Sequence, residues 1–183
     1  YNSLNFSMAD ISMYQEGIGG VPMGVTNIIS SGQGFAVKPS ADGTIVFNNA
    51  MRLTGPNDSY RSNNTFVNRD RLWLSVINDT YELESTALIA FTENTSDTYN
   101  TSEDVTRLPT PVSLYCELDT NQELAINALA PFDISDAFYL SFSTQVKELQ
   151  AYRISIQGMD GANFENATVY LIDALTGSVS NLS

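Results

Sequence analysis

The densest run of oxygen-bearing side chains is FTENTSDTYNTSEDV, residues 91 to 105, in which Glu93, Asn94, Asp97, Asn100, Glu103 and Asp104 fall within twelve residues. Calcium takes about six to eight hard oxygens from flexible loops, so Asp97, Asn100, Glu103 and Asp104 form a candidate calcium set. An EF-hand loop needs acids at alternate positions and a central glycine, and this run has neither. Asn, Asp, Ser and Thr also bond to their own backbone in turns, in which case the same residues organise a loop and hold no ion. Residue types alone leave both readings open.

Other chemistry is narrowed by what the chain lacks. Its 183 residues include no His, which removes Ser-His-Asp and Cys-His catalysis and the usual zinc chemistry. Lys38 and Lys147 belong to no glycine-rich phosphate loop. GIGGVPMG at 17 to 24 lacks the flanking strand and helix of a nucleotide cradle and is expected to be a flexible turn. A glycosidase needs two carboxylates, and 21 Asp plus Glu offer many pairs, but most stand in loops or on exposed strand faces, as Glu82 and Glu84 do. The expectation is a protein that is not an enzyme, with no catalytic residues and no resident cofactor other than calcium.

In VSLYCELD, Val112, Leu114, Cys116 and Leu118 alternate with polar neighbours, which puts the one cysteine on the core face as a buried, inert thiol. Eight N-x-[ST] sequons start at Asn5, Asn57, Asn63, Asn78, Asn94, Asn100, Asn166 and Asn181, and they matter only where an oligosaccharyltransferase meets the chain.

Eight Lys plus Arg against the 21 acids give a net charge of -13, which repels nucleic acid and anionic membrane alike. No apolar run reaches the roughly 18 residues that a spanning helix requires, so no membrane span is expected. The chain starts at Tyr1 without a basic, apolar leader and reads as a fragment of a longer exported protein. No linker divides it, and residues 1–183 are expected to form a single domain.

Short runs rich in β-branched and aromatic residues recur: 34–37, 43–48, 71–78, 81–91, 112–118, 123–129, 137–144, 151–158 and 167–174. Turn signals such as ADGT (41–44) and MDGAN (159–163) separate them. The pattern predicts an all-β fold, an antiparallel β-sandwich of jelly-roll type with about nine or more strands. Trp73 lies in a run apolar on both faces and is expected inside. A short helix is expected in STQVKELQ, where Val146 and Leu149 are three apart.

Taken in order, several of these segments resemble a known family. GQGFAVKP with GTIVFNNAMR, DRLWLSVIN, STALIAFTENTSDTYNTSEDV, LAINALAP, FYLSF, YRISIQG and VYLIDALTGSVSNLS are similar, over most of residues 28 to 183, to the β-rich module preceding the C-terminal sorting domain in substrates of the type IX secretion system of Bacteroidota, adhesins among them. The resemblance implies an extracellular or bacterial cell-surface location, the export machinery as a partner of the full-length protein, and surface glycans or another protein as a further partner. It transfers no catalytic residue, and Asn100 stands where the family usually has Asp. The leading expectation is a non-enzymatic adhesion or stem module. One alternative is a carbohydrate-binding module stacking sugars on Trp73, Tyr60, Tyr81 or Tyr99, and another is a two-carboxylate glycoside hydrolase.

Overall fold

The computed structural model describes residues 11–39, 41–54, 69–93, 95–118, 121–133, 135 and 137–183. The fold is all-β. In chain order the strands are β1 (Met13–Gln15), β2 (Gly19–Val21), β3 (Asp70–Asn78), β4 (Leu83–Phe91), β5 (Val105–Thr106), β6 (Val112–Leu118), β7 (Gln122–Leu129), β8 (Leu140–Thr144), β9 (Arg153–Asp160), β10 (Tyr170–Ile172) and β11 (Val179–Asn181). Seven of them make one sheet in the order β8-β6-β7-β4-β3-β9, with β5 also on β7, while β1–β2 and β10–β11 are separate two-stranded ribbons.

The alternation in β3 and β4 decides which way each side chain faces. Leu72, Leu74 and Val76 join Ile89, Leu114 and Cys116 in one apolar cluster. Trp73, Leu88 and Ala90 face the other way and pack with Ile18, Val21 and Ile126. The centre of the sheet is thus covered on both sides, which is why these strands read as continuous apolar runs. Each fully buried Leu or Ile contributes on the order of 1.5–3 kcal/mol. Asn78, also fully buried, closes the β3–β4 turn by accepting from the Tyr81 amide (2.9 Å) and donating to the Ala151 carbonyl (3.2 Å).

All ladders among the described residues are antiparallel except β4 with β7, which runs parallel from Leu88↔Ile126 to Phe91↔Leu129 and makes the sheet mixed rather than wholly antiparallel. The intervening chain, with β5 and β6, supplies the long return that a parallel pair needs. The sheet also curls, for Ser85 on β4 accepts a hydrogen bond from the Leu114 amide of β6 (3.0 Å).

Three expectations need correction. Residues 34–37 and 43–48 have strand composition but join no ladder, since composition does not supply a partner edge. No helix forms in STQVKELQ: β8 runs to Thr144, whose hydroxyl takes the Val146 amide (3.0 Å), the Gln145 amide goes to the Pro111 carbonyl (2.8 Å), and Leu149 is fully exposed. GIGGVPMG is a structured element, not a flexible turn, because Ile18 and Val21 are buried and the Gly20 carbonyl accepts from the Trp73 indole (2.9 Å). A Cβ at Gly20 would lie 2.6 Å from Val25 Cβ and 2.8 Å from its carbonyl, so close backbone approach explains that glycine.

Candidate functional site

The oxygen-rich loop leaves β4 at Thr92, whose amide bonds the Leu129 carbonyl at the end of β7 (3.0 Å). Its side chains mostly serve backbone. Asp97 accepts the Ala130 amide through Oδ1 (3.1 Å). Asn100 accepts the Ser102 amide through Oδ1 (3.0 Å) and donates its side-chain amide to Glu103 Oε2 (2.9 Å). Asp104, 5% exposed, accepts the Asn100 amide on Oδ2 (2.7 Å) and the Ala128 amide on Oδ1 (2.8 Å), closing the turn at Asn100 and tying it to β7. Burial pushes the Asp104 carboxyl above its ordinary range; the two amide bonds oppose the rise and the charge of Glu103 adds to it.

The four candidate calcium ligands all sit in this loop, and each directs at least one oxygen at an N–H donor. Asn94 lies outside the described residues. Among the described residues no group of three or more His, Cys, Asp or Glu is placed to hold a metal ion. What the arrangement does is fasten the β4–β5 connection. Asx-type side-chain bonding is a property of these residue types that the sequence does display. The long-range acceptor role of Asp104, 24 residues from Ala128, has no local signature.

Two further polar centres were not legible from motifs. Beside β1–β2 a cleft of about 160 Å³ is lined by Met13, Val21, Ser85, Thr86, Ser113 and Arg107, among others. Arg107 pairs with Glu123 (2.7 Å), donates to Ser113 Oγ (3.2 Å) and lies over the Tyr115 ring, 4.4 Å from its centroid. Glu84 is the one carboxylate of that lining, and its Oε1 accepts from Gln157 (3.3 Å). The second centre is Arg71, 5% exposed. It holds Asp160 through two nitrogens, donates to the Ile18 carbonyl (3.2 Å) and sits over Trp73 at 4.9 Å. Asp160 also borders a shallow hollow at the end of β9 with Glu165, but its carboxylate is already engaged by Arg71.

Among the described residues the aromatic candidates do not form a platform. Trp73 is buried, as expected, and Tyr99 packs against the core. Tyr81 is half exposed in the β3–β4 turn, and Tyr60 lies outside the described residues. Cys116 is buried, and desolvation pushes its thiol up to about 12, against a hydrogen bond to Asn127 that lowers it.

Fold and site together define an all-β module whose loop carboxylates organise backbone. Residues 1–183 match a family described as a domain of unknown function, DUF8693, and the chain belongs to that family. Neither the curated proteins nor the solved structures contain a match to it.

Proposed function

We propose that the chain is a non-enzymatic module of a type IX-secreted bacterial protein, working outside the cell or at its surface in adhesion or as the stem beside a sorting domain. The observation that carries the non-enzymatic part is the commitment of Asp97, Asn100 and Asp104 to backbone amides, which makes the most chemically loaded loop a fastening. Catalysis needs perturbed groups gathered in a pocket, and the described clefts bring together at most one unengaged carboxylate each. Export rests on the ordered resemblance of the strand segments from GQGFAVKP to VYLIDALTGSVSNLS.

The test is the route taken by the full-length precursor in the cell that makes it. Fractionation and protease shaving, with and without a working type IX translocon, are expected to recover the module outside the outer membrane only when the translocon works. Equal recovery outside in both strains, or retention inside in both, overturns the reading.

A further inference from the structure

Two segments of the described chain present apolar faces that no described residue covers. In the first, Phe35 and Val37 stand two apart, as do Ile45 and Phe47, and the four side chains are 52–65% exposed. Phe35 and Phe47 meet edge to face, ring centroids 5.8 Å apart, so the two arms of this segment face each other as a ribbon would. A Cβ placed at Gly32, Gly34 or Gly43 would meet no atom within 4 Å. The second is β10–β11, where register pairs Ile172 with Val179. Tyr170, Ile172 and Val179 are 59–64% exposed, Leu175 in the connecting turn is 93% exposed, and Gly177 again faces open space.

An isolated two-stranded ribbon is marginally stable in water and needs an apolar partner. The two faces also differ in charge. Residues 28 to 53 carry Lys38 and Arg52 against Asp42, a local excess of positive charge in a chain of net charge -13. Residues 165 to 183, which include β10–β11, carry Glu165 and Asp173 and no Lys or Arg. Each face therefore offers what the other lacks, and both occur once per chain. We propose that the occupant of each is a second copy of this chain: the 34–37 and 43–48 arms of one copy pack on β10–β11 of the other, and the reverse contact closes a two-fold dimer. Two-fold symmetry makes both contacts at once, which closes the assembly and leaves neither face bare. The eight apolar side chains involved, each more than half exposed, would form the apolar centre of an interface, which in a stable dimer buries roughly 800 Å² per partner.

The experiment is sedimentation velocity of the 183-residue chain from low to high micromolar concentration. A dimer is expected. Phe47→Lys and Ile172→Glu should each weaken self-association by about tenfold or more, because each places a charge in both contacts of the homodimer. Mixing the two variants should restore the dimer: one contact is then unaltered and the other brings a lysine to a glutamate. Both positions are exposed, so unchanged Trp73 fluorescence verifies the fold of each variant. A monomer at every concentration overturns the proposal. So does a dimer indifferent to both substitutions, or a mixture that fails to reassociate while each variant remains folded.

Discussion

Asp104 is where the candidate loop and the sheet meet, and it is the residue with most at stake there. Removing its carboxylate in Asp104→Ala leaves the amides of Asn100 and Ala128 without an acceptor in a buried setting. A cost of about 2–4 kcal/mol is expected, read as a lower urea midpoint with an unchanged slope. The pH dependence has a definite sign. A carboxyl raised by burial binds its proton more readily folded than unfolded, so its contribution to stability is greatest in acid and declines as pH rises from the ordinary aspartate range through the folded value. The stability of the native protein minus that of Asp104→Asn should accordingly fall with rising pH and then level; a difference that grows with pH contradicts the burial argument. Because Asp97, Asn100, Glu103 and Asp104 each already accept an N–H, millimolar calcium is expected to leave Tm within about 1 °C, whereas an ion bound only by the folded state would raise it.

At the level of elements, the β1–β2 ribbon is held by close approach rather than by length. Gly20→Ala forces its new methyl against Val25, including backbone that cannot swing aside, and should cost about 1–3 kcal/mol while shifting the emission of Trp73 to the red as the ribbon lifts from the indole. How far the sequence showed such things depended on distance along the chain. The central strands were legible because alternation at Leu72, Leu74 and Val76 is written locally. GFAV and TIVF had the same local character yet joined no ladder, since pairing depends on a partner edge that no window of sequence contains. Conversely, MYQ and GGV lack strand composition yet pair with each other, and the ribbon packs on Trp73, whose indole donates to the Gly20 carbonyl. The candidate loop was visible as a cluster of oxygens, but its purpose was not: the donors that occupy it, Ala128 and Ala130, come from the far side of β5 and β6.

For the whole molecule, the sheet is assembled from pieces far apart in sequence. β3 pairs with β9 from Ile77↔Arg153 to Arg71↔Asp160, about half the chain away, and β4 pairs in parallel with β7. No other described strand takes the place of β9 on that edge, and the buried Arg71 has Asp160 as its counter-charge. A chain cut after residue 150 is therefore expected to lose cooperative unfolding altogether, seen as a broad, sloping denaturant transition; an uncharged partnerless strand would be tolerated better than a buried guanidinium left alone. Non-local pairing also predicts refolding in the slow range of two-state domains, milliseconds to seconds or longer in stopped-flow Trp73 fluorescence.

The one cysteine sits at the junction of those distant pieces, on β6 between β7 and β8, with its sulfur out of reach of water and its proton held up to about 12. A thiol so placed reacts with an aqueous reagent only when the sheet has come apart around it. Labelling of Cys116 thus runs as a stopwatch for opening of the sheet, and its rate, followed by mass without any engineered probe, reports how often the chain lets go of its own centre.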